Sequence, residues 1–109
     1  MSRVLVGSLS DFAGGHAVKR EVEGETVLVV NVGDTMCAVS NTCPHRGGDL
    51  STGEIADGKV TCPRHGAIFD VRTGKNLEGA KILVKRIATS DLQSYSVELD
   101  GDSVFINFS

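Results

Sequence analysis

The sequence predicts an all-β protein that folds as one domain. Short segments rich in β-branched residues, or alternating polar and apolar side chains, occur along most of the chain. Turn residues separate these segments, and no long window carries an apolar stripe with helical spacing. A chain of 109 residues is long enough for one modest core and too short for two.

Four segments show the strand pattern most clearly. The last two alternate polar and apolar residues on either side of Asp100-Gly101-Asp102, which predicts a hairpin at residues 100–102. A turn of helix could fit only within residues 11–18 or 88–93. The predicted strand segments are residues 26–32, 81–87, 94–99 and 104–108.

The middle of the chain, residues 41–76, differs in composition from the rest. It holds both prolines and several glycines, with only short apolar pieces between them. Such a stretch buries too little apolar surface to stay ordered unless a bound group holds it together. We therefore expect a small lobe at 41–76, set on a β base formed by residues 1–40 and 77–109, within a single domain 1–109.

Charge and hydropathy exclude several classes of protein. The formal net charge of −3 gives no support to nucleic-acid binding, which needs a basic face. The N-terminal apolar run is broken at Gly7 and Ser8, which makes it a poor secretory signal. No stretch approaches the roughly 18 to 20 apolar residues of a membrane span. We expect a soluble, cytoplasmic protein that is a monomer when isolated and binds neither nucleic acid nor membranes.

Two short boxes contain the residues with metal-ligand chemistry. The first box, C-P-H, holds Cys43 and His45, and the second, C-P-R-H, holds Cys62 and His65. Cysteine and histidine this close together in a short intracellular chain indicate a metal site rather than a disulfide framework. The third cysteine, Cys37, lies in an apolar run outside the boxes, and we expect it to be a small core residue.

The composition of each box bears on which metal is bound. Thiolate and imidazole ligands suit either zinc or an iron–sulfur cluster. Zinc sites with two cysteines and two histidines usually take two cysteines from one loop and two histidines from the other. Here each loop supplies one cysteine and one histidine. This arrangement is required if the two cysteines hold one iron and the two histidines hold the other. The pattern favours a 2Fe–2S cluster, and structural zinc is the alternative.

The boxes and the residues that follow them resemble the signature of Rieske proteins. The similarity is greatest to the small Rieske-type ferredoxins and to the Rieske domains of ring-hydroxylating oxygenases. The stretch 92–104 also looks like the C-terminal hairpin of such ferredoxins. The residues of the signature are 43–50, 62–66, 69–70 and 73–74.

The resemblance implies a fold, a cofactor and a set of ligands. The implied fold is the Rieske fold, an antiparallel β-sandwich base with an inserted cluster-binding lobe. The cofactor is one Rieske-type 2Fe–2S cluster. By position, Cys43 and Cys62 match the ligands of the buried iron, and His45 and His65 match those of the outer iron. Because protein side chains fill all four ligand positions, no catalytic residue is expected, and the chain is predicted to be an electron-transfer protein rather than an enzyme.

Departures from the respiratory type of Rieske protein bear on the reduction potential. That type has an extra cysteine in each box, joined in a disulfide, where this chain has Gly48 and Arg64. It also has a serine and a tyrosine hydroxyl after the second box, where this chain has Ala67 and Phe69. Hydroxyl donors to sulfur stabilise the reduced state. Without them, the chain is predicted to have a low potential for its class.

The predicted function is that of a one-electron carrier. It would relay electrons from a reductase to a terminal oxidoreductase, such as a ring-hydroxylating oxygenase. Two alternatives are a small Rieske subunit or binding module of a larger reductase, of the nitrite reductase small-subunit type, and a zinc-stabilised interaction domain. Residues 43–75 carry five basic and four acidic side chains, whereas the rest of the chain carries six basic and ten acidic ones. This contrast suggests that the cluster end docks on an acidic partner surface.

Overall fold

The computed structural model describes residues 2–15, 17–33, 35–44, 48–64, 66–82, 85–87 and 89–108. Every strand pair in these ranges is antiparallel, and the helical segments among them are two short 3₁₀ helices. The predicted all-β class is therefore confirmed. In the described part of the chain, no helix is both long enough and apolar enough to cross a membrane.

Six strands form the larger sheet. Their order across the sheet is β1-β12-β11-β4-β3-β2, so that the two ends of the chain pair with each other through β1 and β12. The strand bounds are β1 Ser2–Ser8, β2 Ala17–Val22, β3 Glu25–Val32, β4 Thr35–Ser40, β11 Ser94–Asp100 and β12 Ser103–Phe108.

The two edge strands of this sheet, β1 and β2, approach each other and nearly close it. The register of β1 shifts between Leu5 and Gly7, where the strand bulges. Beside the bulge, the guanidinium Nε of Arg20 on β2 donates a hydrogen bond of 2.8 Å to the carbonyl oxygen of Val6 on β1. The Arg20 side chain thus links β1 to β2. Between these two strands the described residues form no ladder of backbone hydrogen bonds.

The central strand β3 is buried on both faces. Val27 and Val29 face a core formed with β1, β12 and the 3₁₀ helix Leu9–Gly15. Leu28 and Val30 face a second core, which includes buried residues of the segment 41–76. Two-sided burial explains why the sequence of this strand is a nearly continuous apolar run rather than an alternating one.

Four short strands form a second sheet, in the order β5-β6-β7-β8. The strand bounds are β5 Glu54–Ala56, β6 Lys59–Thr61, β7 Ile68–Asp70 and β8 Asn76–Glu78. Val60, Phe69 and the neighbouring Leu50 are fully buried and join the core that includes Leu28 and Val30 of β3. The second sheet therefore packs on the larger one across β3, and the division into base 1–40 and 77–109 and lobe 41–76 stays a prediction.

The segment 81–87 differs from its predicted form. We expected one strand, but the structure has two, β9 (Ala80–Ile82) and β10 (Lys85–Ile87), which pair as an antiparallel hairpin. Strand-forming residues continue through this segment with no glycine, proline, asparagine or aspartate to mark a reversal. The sequence of this segment therefore offers no local signal that would divide it into two strands.

The other local predictions can be compared directly with the structure. The hairpin at residues 100–102 is present, with Asp100 paired to Ser103 and Gly101 at φ +59°. Leu9–Gly15 forms a 3₁₀ helix that overlaps the helical turn considered for residues 11–18. Residues 89–93 hold no helix.

Candidate metal centre

The cysteines of the two boxes lie in the same core. Cys43 follows β4, and Cys62 comes directly after β6. Their exposed fractions are 2% and 3%, and both pack with Leu50, Val60 and Phe69 beneath the second sheet. No disulfide joins any of the three cysteines, all of which the structure describes. Two buried sulfurs are thus brought to one region from loops that are distant in sequence.

Gly48 connects the two cysteine segments. The backbone N–H of Cys43 donates to the carbonyl oxygen of Gly48 at 2.9 Å. A β-carbon added to Gly48 would lie 2.9 Å from the Sγ of Cys62 and 3.3 Å from Cγ of Arg64. The backbone of Gly48 therefore lies against the Cys62 sulfur, and the two positions that carry bracing cysteines in respiratory Rieske proteins are neighbours here.

The second box ends in a tight loop. The N–H of Cys62 donates to the carbonyl oxygen of Ala67 at 2.8 Å, and the N–H of Gly66 donates back to the carbonyl oxygen of Cys62 at 3.1 Å. Gly66 has φ +73°, a left-handed conformation that residues with a β-carbon rarely adopt. This loop fixes the backbone of Cys62 relative to β7.

The predicted histidine ligands, His45 and His65, lie outside the described residues, as does Arg46. Their placement stays a prediction. Within the ranges that the structure describes, no three histidine, cysteine, aspartate or glutamate side chains come together as a metal site. Of the four predicted ligands, Cys43 and Cys62 lie within the described residues.

The surroundings of these two cysteines fit an iron–sulfur group. Thiolates are the ligands that iron–sulfur clusters use, and both sulfurs here are shielded from water. Ala67 and Phe69 are 1% and 0% exposed and belong to the same core, and neither side chain carries a hydroxyl. Neither of these two side chains can therefore donate a hydroxyl hydrogen bond to the sulfurs.

Asp49 lies within the signature stretch 43–50, although no role of its own was predicted for it from the sequence. Its Oδ1 accepts hydrogen bonds from Nδ2 of Asn41 at 2.7 Å, from Oγ of Ser51 at 2.6 Å and from N of Ser51 at 3.0 Å. Its Oδ2 accepts from Nζ of Lys19 on β2 at 2.9 Å. Its place before the 3₁₀ helix Leu50–Thr52, as the helix N-cap, is the local sequence signal that could have identified it.

These contacts hold the pKa of the Asp49 carboxyl well below its usual range, with the Ser51 side chain contributing most, then Asn41 and Lys19. A carboxyl group whose pKa is lowered in the folded state stabilises that state above its unfolded pKa of about 4, and the contribution is lost as the pH falls. The Asp49 carboxylate is therefore ionised at neutral pH.

Comparison with known proteins identifies the family. The chain matches the Rieske [2Fe-2S] domain over residues 2–96. It belongs to this family. A curated relative, the ferredoxin component of biphenyl 2,3-dioxygenase from Rhodococcus jostii (strain RHA1), is 37% identical over 107 residues, which span 98% of this chain and 94% of the relative.

Solved structures of Rieske ferredoxins share the fold. The ferredoxin of carbazole 1,9a-dioxygenase from Nocardioides aromaticivorans IC177 superposes with a TM-score of 0.82 at 30% identity and covers 97% of both chains. A ferredoxin in a complex of reduced oxygenase and oxidized ferredoxin of carbazole 1,9a-dioxygenase matches with a TM-score of 0.81 at 28% identity. That match covers 95% of this chain and 100% of the other.

These similarities confirm several predictions made from the sequence. The Rieske fold is confirmed by the superposition on a ferredoxin of the same size. The role of an electron-transfer protein is confirmed because the relatives matched over nearly their whole length are ferredoxin components of dioxygenase systems. Membership of a 2Fe–2S family also favours an iron–sulfur cluster over structural zinc.

Proposed function

We propose that this Rieske ferredoxin carries one 2Fe–2S cluster and relays single electrons from a reductase to a ring-hydroxylating oxygenase. The observation that carries the proposal is the pair of buried cysteines whose loops meet at Gly48, in a chain of the Rieske family. The proposed ligands are Cys43, His45, Cys62 and His65.

The protein's contribution is to hold the ligands and exclude water. When bound, the cluster accepts and releases one electron. The core around Cys43 and Cys62 keeps water from the two sulfurs, and the backbone of Gly48 covers the Cys62 sulfur from one side. Packing and backbone hydrogen bonds hold the groups around the two sulfurs in place. The site should therefore change its structure little when its charge changes by one unit.

The partners follow from the similarity to dioxygenase ferredoxins. A biphenyl dioxygenase ferredoxin component is 37% identical, and a carbazole dioxygenase ferredoxin has been observed in complex with its oxygenase. We therefore assign an oxygenase as the electron acceptor and a reductase as the donor, with the carrier diffusing between them in the cytoplasm. Cell fractionation that recovered the protein with membranes would contradict the location.

Purification of the intact chain tests the proposal. We expect a red-brown protein with two irons and two sulfides per chain and an EPR signal that appears only after reduction. A colourless protein containing zinc would overturn it. Because Ala67 and Phe69 offer no hydroxyl to the sulfurs, the midpoint potential should fall in the lower part of the family range of roughly −150 to +300 mV. A redox titration that gave a value above about +150 mV would contradict the low-potential assignment.

Arg64 provides a test of how the partner is recognised. Its side chain is exposed, and its aliphatic part lies over Gly48 beside the Cys62 sulfur, so its charge is on the surface next to the proposed site. We expect Arg64→Glu to slow electron transfer to the oxygenase about tenfold at low salt, because a basic surface steers an acidic partner. Stopped-flow reduction of the oxygenase at several ionic strengths measures this.

Lys59→Glu is the matched control, because Lys59 belongs to the same segment 43–75 but lies at an exposed position at the start of β6, and its substitution makes the same change in net charge. We expect it to alter the rate much less than the Arg64 substitution. If both substitutions had equal effects, or if the difference persisted at high salt, docking would not depend on a local basic surface around Arg64.

A further inference from the structure

Asp49 lies at the end of the loop of the first box, where its side chain contacts Lys19 of β2 in the larger sheet. We propose that Asp49 is a positioning residue, which locks the backbone of Gly48 against the Cys62 sulfur and so fixes the geometry of the bound cluster. This inference rests on the proposed function, because the group whose geometry is fixed is the cluster held by Cys62.

The backbone around Asp49 is already paired with the segment that leads to Cys43. Asp49 and Thr42 form an isolated antiparallel bridge, and the N–H of Leu50 donates to the carbonyl oxygen of Asn41 at 2.9 Å. The Cys43-to-Gly48 hydrogen bond continues this pairing by one step. The segment 48–50 therefore runs beside 41–43, and a shift of Asp49 would move Gly48 relative to both cysteines.

The side chain of Asp49 fastens this paired segment to its surroundings. One carboxylate oxygen accepts three hydrogen bonds, two from Ser51 and one from Asn41, and the other oxygen accepts one from Lys19 of β2. The N–H of Asn41 itself donates to the carbonyl oxygen of Thr26 in β3 at 3.0 Å. Asp49 thus connects the cluster loop to two strands of the larger sheet.

These contacts differ in importance. Asn41 is 3% exposed, so an alanine at position 49 would leave the buried Nδ2 of Asn41 without its acceptor, and its Oδ1 already has no hydrogen-bond partner among the described residues. Leaving a buried polar group unsatisfied is costly. The Lys19 and Asp49 side chains are 47% and 39% exposed, and ion pairs so exposed contribute little. The hydrogen bonds to Asn41 and Ser51, rather than the charge, should therefore fix the loop.

Three variants of the holoprotein separate these contributions. Asp49→Ala removes every contact, Asp49→Asn keeps one oxygen for Ser51 and Asn41, and Lys19→Met removes only the ion pair. We expect Asp49→Ala to lose its cluster to a chelator about tenfold faster than the wild type, as the loss of buried hydrogen bonds implies. Its reduced cluster should also show shifted EPR g-values, because the Gly48 backbone no longer lies in the same place beside the Cys62 sulfur.

Asp49→Asn and Lys19→Met should lose their clusters within about threefold of the wild-type rate and keep its g-values. Equal effects of Asp49→Ala and Asp49→Asn would overturn the proposal, because the charge would then be the cause. A lowered melting temperature of Asp49→Ala with unchanged g-values would overturn it too, since Asp49 would then only stabilise the fold.

Ser51→Ala keeps the inference testable if Asp49→Ala does not fold. It removes the hydroxyl that donates to Asp49 at 2.6 Å and leaves the carboxylate in place. We expect a smaller shift of the g-values in the same direction, and an unchanged spectrum would overturn the proposal. A wild-type protein that binds no cluster would refute the proposed function itself, whereas a normal wild-type spectrum with unaffected variants would refute only the role of Asp49.

Discussion

Replacing Cys62 by alanine is expected to abolish the cluster entirely. The thiol is 3% exposed in the core beneath the second sheet, and its sulfur is one of two sulfurs that the structure places there. A 2Fe–2S cluster that loses a thiolate ligand has no replacement donor among the described residues, because no histidine, aspartate, glutamate or further cysteine there groups with Cys43 and Cys62 as a metal site. We expect a colourless protein without an EPR signal after reduction, measured together with iron content.

Cys37→Ala is the control for this experiment. Cys37 is 6% exposed in β4, and burial raises the pKa of its thiol, so it behaves as a small apolar side chain. The Cys37 variant should keep its colour, iron content and spectrum. Loss of iron from both variants would show that the effect comes from a disturbed core rather than from a missing ligand. The sequence predicts the same loss for alanine at His45 or His65.

Gly53→Ala is expected to destabilise the region around the second box strongly. Gly53 follows the 3₁₀ helix Leu50–Thr52 and lies against the strand that leads into Cys62. A β-carbon at this position would lie 2.0 Å from the carbonyl oxygen of Thr61 and 3.2 Å from Cδ of Pro63. Because the closest contact is with backbone, no side-chain rotation relieves it.

Overpacking of this kind costs about 3 kcal/mol, which for a domain of this size lowers the melting temperature by on the order of 15 °C. Thermal unfolding followed by circular dichroism measures the loss, and iron analysis should show weaker retention of the cluster. Gly101→Ala is the control, since Gly101 has φ +59° with no described heavy atom within 4 Å of an added β-carbon. It should cost about 1 kcal/mol from its left-handed backbone alone. Equal losses in the two variants would show that the steric argument is wrong.

The sequence predicts those strands whose residue pattern is recognisable from neighbouring residues alone. Alternation and turn residues located the hairpin formed by β11 and β12, and β-branched residues located β3. The sequence did not indicate β1 as a strand, although β1 pairs with β12 at the other end of the chain. Pairing between the two termini is set by the tertiary fold, and β1 contains Gly7 and Ser8, which weaken a strand pattern.

For the candidate site, the sequence is informative where chemistry limits the choice of residue. Few residue types supply thiolate or imidazole ligands, and the presence of one cysteine and one histidine in each box favours a cluster over zinc. Asp49 and Gly53 were not predicted as important, because aspartate and glycine occur in many loops for other reasons. The role of Asp49 depends on Asn41 and Lys19, which come together only through the fold, and that of Gly53 depends on the approach of the Thr61 carbonyl group.

The hydrogen bond from Arg20 to Val6 bears on whether copies of this ferredoxin associate with one another. Exposed edge strands can recruit a strand from another molecule, and such pairing leads to association. At Val6 the carbonyl group of an edge strand is already occupied, and a bulge and a charged side chain lie beside it. A carrier that must leave one partner before meeting the next benefits from an edge that does not attract strands. The nearly closed sheet therefore disfavours self-association of the carrier between its encounters with redox partners.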